Sequence, residues 1–268
     1  MALTRPKGLF PAQLKYWRGK RGMSQLDLAL AAGVSSRHVS FLETARARPS
    51  VEMVLRLGGV LQLALRDQNA LLAATGLEEV YDEPEPGVGL SGPVARALAR
   101  MLQQQEPYPM IVMDRHYDVI RTNRGAEALL ARFVAEPAAM TTPLNAVRAV
   151  FDPRLARPFI EDWSKLARLL LSRLHREALA RPSDQGLADL VEALLEYPDV
   201  PEAWRHPEFS TESEPVASVN FCRDDVRLSF LTTVTVFNAP QNVTLEELRI
   251  ESYFPQDDGT ARLCESAA

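Results

Sequence analysis

Thirteen residues, Tyr81-Asp-Glu-Pro-Glu-Pro-Gly-Val-Gly-Leu-Ser-Gly-Pro93, hold three prolines and three glycines. No regular element runs through such a segment, because proline removes a backbone donor and glycine loses the most conformational freedom on ordering. It reads as a linker, so the 268-residue chain is expected to fold as two bodies. The expected division is 1–80 as a first domain, 81–106 as linker and connecting helix, and 107–268 as a second domain. Charge divides at the same place. Residues 1–75 carry eleven Lys/Arg against four Asp/Glu, a net +7, while the rest of the chain carries −12. A basic module joined to an acidic one points to a polyanion partner for the first and to repulsion of that partner by the second.

Composition narrows the classes further. At 46% apolar and 24% charged the chain is ordinary for a globular protein. The longest apolar stretch, around Leu166–Leu174, is broken by Arg168 and Arg173, and Met1–Phe10 has no apolar core like that of a secretory leader. No membrane insertion is therefore expected, and a cytoplasmic location is the default. Cys222 and Cys264 alone make neither a disulfide framework nor a zinc cluster. The four histidines lack metal-ligand spacing, and neither a glycine-rich phosphate loop nor a nucleophile elbow is present. No catalytic residue, metal or cofactor is expected, and the chain does not read as an enzyme.

The first 80 residues read as short helices with clear punctuation. Phe10–Lys20 is amphipathic, with Leu14 and Trp17 on one side. Ser24 is suited to cap a helix over Gln25–Ala31, Gly33 to make a sharp turn, and Ser35 to cap a helix over Ser36–Thr44. Two helices joined by a short glycine turn match the helix-turn-helix, whose second helix enters the major groove by its N-terminus. Val34, Val39 and Leu42 fall at core spacing. Ser24-Gln-Leu-Asp-Leu-Ala-Leu-Ala-Ala-Gly-Val-Ser-Ser-Arg-His-Val-Ser-Phe-Leu-Glu43, followed by Arg46-Ala-Arg-Pro-Ser50, resembles the Cro/C1-type (Xre) helix-turn-helix domain over about 65 residues. The resemblance implies double-stranded DNA as partner and an Arg18–Glu43 pair between the first and recognition helices. It further implies that Gln25 fixes a phosphate, that Ser35, Ser36, Arg37 and Ser40 occupy the exposed start of the recognition helix, and that Arg46 and Arg48 meet phosphate. Arg37 is the residue best suited to a bidentate pair with guanine.

Beyond the linker the pattern changes. A helix is expected over Val94–Gln105, then short strands at Met110–Met113 and Tyr117–Thr122. Further helices are expected from Asn123 as cap through Leu130, over Thr141–Val150, from Pro158 to Ala180, and over Leu187–Tyr197. Val216–Arg223, Val226–Phe237 and Leu245–Tyr253 alternate and carry β-branched residues, so three antiparallel strands are expected there. The fold class is thus an all-α helix-turn-helix domain followed by an α+β domain whose helices cover an antiparallel sheet. Such a cup has room for an apolar small molecule, although the same pattern also builds a solid core.

Tyr108-Pro-Met-Ile-Val-Met-Asp-Arg-His-Tyr-Asp-Val-Ile-Arg-Thr-Asn-Arg-Gly-Ala126 resembles the opening of the MmyB-like ligand-binding domain. Phe151-Asp-Pro-Arg154, Asp162-Trp163, Arg173, Asp184 with Leu187 and Leu190, and Glu202-Ala-Trp-Arg-His206 continue it. The family's Trp-Asn pair is Thr122-Asn123 here, and the last strands match loosely. The resemblance implies a PAS-like fold, a transcription regulator, and a fatty-acid-like ligand. For such a ligand Trp163, Leu166, Leu170, Leu174, Phe221, Phe230 and Phe237 are candidates to line a tunnel, and Arg173 or His206 to meet a carboxylate. Arg173 also stands one helical turn before Glu177, a pairing that would occupy it. The expected assembly is a homodimer. The alternative keeps DNA binding but makes the second domain a ligand-free dimerisation or protein-docking module.

Overall fold

The computed structural model describes residues 8–84, 92–181, 184–206, 217–237 and 242–267. Most of the expected linker, residues 85–91, lies outside the described residues, as does Val216 at the start of one expected strand. By contact the chain divides into two units, Met1–Glu85 with Phe237–Glu246, and Pro86–Val236 with Glu247–Ala268.

The first unit is built on five helices, α1 (Leu9–Lys20), α2 (Gln25–Ala32), α3 (Ser36–Glu43), α4 (Val51–Val60) and α5 (Leu65–Thr75). The starts of α2, α3 and α4 are set by side chains that accept otherwise unpaired backbone N–H groups. Ser24 and Asp27 form a reciprocal capping box, Ser35 accepts from the His38 N–H at 3.2 Å, and Ser50 accepts from the Met53 N–H at 3.3 Å. Gly33 ends α2 in the left-handed region at φ 64°, where a Cβ would be strained. Phe10, Leu14, Trp17, Leu28, Val39, Leu42, Val54, Leu57 and Leu72 close one core, with Val34 partly buried against it. No side chain of its own caps α5. Its Leu65 N–H donates instead to a Glu246 carboxylate oxygen at 2.8 Å, carried by a short helix over Val243–Glu247. The Val243 N–H donates to the Asp82 carbonyl in the same unit.

The second unit is α+β. In chain order it contains α6 (Gly92–Gln105), β1 (Met110–Met113), β2 (Val119–Thr122), α7 (Arg124–Arg132), α8 (Ala146–Phe151), α9 (Trp163–Ala180) and α10 (Gln185–Leu195). There follow β3 (Ala217–Arg223) and β4 (Val226–Thr235), and, after the first unit's short helix already met, α11 (Val243–Glu247), β5 (Arg249–Pro255) and α12 (Asp258–Ala267). The five strands form an antiparallel sheet in the order β2-β1-β5-β4-β3, so the last strand returns to its middle. The register sets Ile111 opposite Glu251, Thr232 opposite Tyr253, and Val219 opposite Phe230. The alternating side chains of that face, Ile111, Met113, Val219, Phe221, Phe230 and Tyr253, pack with Leu166, Leu171, Leu174, Leu187 and Leu194 of α9 and α10.

Several element boundaries differ from expectation. The second strand starts at Val119, because Tyr117 sits in the preceding turn at φ 68° with its ring buried. The helix expected over Thr141–Val150 starts at Ala146: Asn145 caps it by accepting from the Arg148 N–H, and a residue before proline disfavours helical backbone. A 3-10 turn over Arg157–Phe159 replaces the start expected at Pro158, and α9 begins at Trp163 after Asp162 at φ 50°. Asp184 caps α10, which starts at Gln185, two residues before the expected start. The strand expected from Leu245 begins at Arg249, because Asn242 accepts from the Leu245 N–H and turns that stretch into α11. Strand β4 stops at Thr235, short of Phe237, and α12 has no counterpart in the sequence reading.

Candidate functional site

Two surfaces carry the expected site residues. In the first unit, α3 presents Ser35, Ser36 and Arg37 to solvent at its start, with Ser40 half-buried one turn on. The Arg37 guanidinium lies 5.1 Å from the Phe41 ring centre. Arg46 and Arg48 are exposed in the loop after α3. The far end of the helix is anchored. Arg18 donates to both Glu43 carboxylate oxygens at 2.6 and 3.0 Å, and the Gln25 amide donates to Glu43 at 2.7 Å. Burial pushes the Glu43 carboxyl up, but the hydrogen bonds from Arg18 and Gln25 outweigh it and hold the group below the ordinary carboxylate range. Gln25 thus opens α2 with one amide hydrogen bond already made, a tie that spacing alone did not reveal.

In the second unit, a cavity of about 420 Å³ lies between the sheet and the helices α8 and α9. That is within the size range of small-molecule pockets. Its apolar wall is made by Val150, Leu166, Leu170, Phe221 and Tyr253, among others. Its polar groups are Tyr117, Arg173, Arg176, Thr232, Thr233 and Glu251.

One end of the cavity is fixed by a network on the Glu177 carboxylate. Arg249 donates to both of its oxygens at 2.8 and 2.7 Å, Arg173 donates at 3.1 Å, and the Tyr117 hydroxyl donates at 3.0 Å. Arg249 also donates to the Tyr117 oxygen at 2.7 Å and lies 4.5 Å from that ring's centre. Burial pushes Glu177 up, yet the bonds and charge of Arg249 and the charge of Arg173 hold it below its ordinary value. Burial also drives the Tyr117 hydroxyl well above the ordinary tyrosine value, so it is a neutral donor. Glu251 is different. It is half-buried on the cavity wall, burial raises its carboxyl, and the charge of Arg173 and a hydrogen bond with Thr232 only partly oppose that.

A family model described as helix-turn-helix matches residues 14–68, and one described as MmyB-like transcription regulator ligand binding domain matches residues 94–267. The chain belongs to the MmyB-like transcription regulators. No curated protein matches it. Among solved structures it is similar to an HTH_3 family transcriptional regulator from Vibrio cholerae, at 23% identity over 30% of this chain and 44% of that one, with a TM-score of 0.23. An RNA-binding light-oxygen-voltage receptor is similar at 13% identity over 97% of this chain and 60% of that one, with a TM-score of 0.29. The chain thus spans less than two thirds of either structure.

In this MmyB-like regulator, Leu166, Leu170, Arg173 and Phe221 come together on the cavity. The other residues singled out for ligand lie elsewhere. Leu174 is fully buried in the core, and Trp163 stacks near Phe151 and Trp204 with its indole N–H donated to the Val150 carbonyl. Phe230 lines a second cleft of about 370 Å³ between α7, β4 and α12, which includes Arg124, Arg132 and Cys264. His206 borders a third with His175 and Trp204, and Phe237 falls in the DNA-reading unit. The cavity residues that sequence reasoning missed include Tyr117, Thr232, Glu251 and Tyr253. A signal for Glu251 existed: an acid at an inward position of the alternating run Arg249-Ile-Glu-Ser-Tyr253. Among the described residues no cluster of His, Cys, Asp and Glu is suited to a metal ion, and no helix is long and apolar enough to cross a membrane.

Proposed function

We propose that this MmyB-like regulator is a cytoplasmic, non-enzymatic switch that reads operator DNA as a homodimer and senses a fatty-acid-like or other apolar small molecule in the cavity over β4 and β5. The observation that carries the sensor reading is the cavity itself: Leu166, Leu170, Arg173 and Phe221 surround an unfilled space of about 420 Å³. A solid dimerisation or docking module would fill that space, since interiors pack densely and voids are costly. The strand order β2-β1-β5-β4-β3 supports the PAS-like reading of this half.

On the DNA side, Ser35, Ser36, Arg37 and Ser40 are the base-facing set, while Arg46, Arg48 and the α2 start at Gln25 bind phosphate. Phosphate contacts add affinity, whereas base-edge contacts set sequence. Two copies would place their α3 helices about one turn of DNA apart. Ligand binding acts on DNA binding only through a difference in affinity for the two arrangements, and the effect is reciprocal. The connection between β4 and β5 offers a covalent route. Both strands line the cavity, and the residues joining them, Phe237–Glu246, belong to the reader unit.

Native mass spectrometry of the protein as purified, followed by denaturing extraction, tests the sensor reading. A stoichiometric added mass that is recovered as an amphiphile supports it. A bare mass, joined to no change in operator binding when matched amphiphiles are added, rejects it.

A further inference from the structure

Glu251 occupies a place where the sheet calls for an apolar side chain. It lies on the middle strand, on the face that carries Ile111, Met113, Phe230 and Tyr253 into the core, with Ile111 of β1 and Val234 of β4 as cross-strand neighbours. A carboxyl in such surroundings is costly unless its oxygens are hydrogen-bonded. Thr232 supplies one such bond, and a carboxyl has room for several. Arg173 and Arg249 both donate to Glu177, and Arg176, also on the cavity wall, donates to the Ser172 carbonyl. The remaining capacity of Glu251 faces the cavity.

We infer that Glu251 is the specificity-determining residue for the polar end of the ligand, and that it selects an amphiphile whose head group offers a neutral hydrogen-bond donor, such as an alcohol or a primary amide. This inference rests on the sensor reading and narrows it. A carboxylate head would put a second negative charge beside Glu251 in a low-dielectric space, where one of the two must take up a proton. An ammonium head would meet Arg173 and Arg176 on the cavity wall, with Arg249 held on Glu177 behind them. A hydroxyl or amide N–H meets neither obstacle: it donates to Glu251, while its oxygen accepts from the cationic side.

The test compares dodecanol, dodecanamide, dodecanoate and dodecylamine by calorimetric titration of the full chain at one neutral pH. The native protein is expected to bind the alcohol and the amide about tenfold more tightly than the carboxylate, the difference one hydrogen bond makes. Glu251→Leu should erase that preference by weakening the two neutral ligands about tenfold. Glu251→Gln should keep them and gain dodecanoate, because an amide both donates and accepts without charge. Leu fits between Ile111 and Val234, so a melting temperature at or above the native one is the folding control for Glu251→Leu. A native preference for dodecanoate or dodecylamine, or a ranking left unchanged by Glu251→Leu, overturns the inference while leaving the cavity as a ligand site. Failure of all four to bind the native protein overturns the sensor reading and this inference with it.

Discussion

Arg37 and Arg46 are both exposed arginines within ten positions of each other, yet their settings assign them different work. Arg37 extends from the first turn of α3 beside the capping Ser35, where the proposed docking brings the helix start to base edges. Arg46 leaves from the loop behind that helix, where phosphate is the natural partner. Arg37→Ala is therefore expected to cost about 1–3 kcal/mol on the preferred operator and to level affinities among base substitutions at one position. Arg46→Ala should weaken all duplexes alike and lower the salt slope by about one. Binding titrations across a set of operator variants and salt concentrations separate the two, and equal losses with unchanged base preference would refute the role given to Arg37. In the second unit two carboxyls act in opposite directions. Glu177 is held below its ordinary 4.5, so its contribution is present above that value and is lost as pH falls through its lower folded value. Glu251 is raised above 4.5, so the folded state loses stability as pH climbs from there through the raised value. Urea denaturation between about pH 2 and pH 8 should show both limbs, and Glu251→Leu should flatten the decline on the rising side while the acid limb stays.

The start of α7 shows how one element depends on a missing side chain. Glu106 accepts from the Arg124 N–H at 2.8 Å and the Gly125 N–H at 3.0 Å, which draws the helix against the backbone of Pro107 and Tyr108. A Cβ on Gly125 would lie 2.9 Å from the Tyr108 carbonyl carbon and closer still to the Pro107 oxygen. Gly125→Ala should destabilise the ligand-binding unit by about 1–3 kcal/mol. Gly59→Ala, on an open face of α4 with nothing within 4 Å, should stabilise the reader by up to about 1 kcal/mol. Thermal melts followed by probes in each unit check the pair, and a neutral Gly125→Ala would refute the close approach. Legibility at this scale followed the same logic. Ser24, Gly33 and Ser35 act within a few residues of themselves, so α2 and α3 could be read from local chemistry to within a residue at each end. The boundaries at Tyr117, Asn145 and Asn242 depend on what those side chains meet. Tyr117 turns out of its expected strand to reach Glu177, sixty residues on, and the Asn145 amide donates to the His116 carbonyl. The site divided likewise: the α9 stripe of Leu166, Leu170 and Arg173 was legible by period, whereas the inward acid Glu251 gained its neighbours only from a register joining β5 to β1 and β4.

At the scale of the whole molecule, a split of charge at residue 75 and a proline-rich segment after it suggest a simple tandem of reader and sensor. The chain is not so simple, because Phe237–Glu246 returns to the reader unit in the middle of the sensor sheet. A fragment ending at residue 80 would thus lack the Glu246 carboxylate that caps α5. Glu246→Ala removes that cap and should lower reader stability by about 1 kcal/mol, as cap deletions do. Its larger effect should be on linkage. The connection runs directly from Thr232, Thr233 and Val234 in β4 to Glu251 in β5, all four on the cavity wall. On the proposed sensor reading, a ligand that shifts these strands would bias the reader through this connection, which the Glu246 bond to the α5 start ties to the reader. In Glu246→Ala the factor by which a bound amphiphile changes operator affinity should fall towards one, with ligand affinity in the absence of DNA left within about twofold. Titrating operator DNA with and without saturating amphiphile measures that factor directly, and the reverse titration must return the same value. A full native factor in Glu246→Ala would show that coupling bypasses the β4–β5 connection. A matching loss of ligand affinity would show instead that the substitution disturbs the cavity.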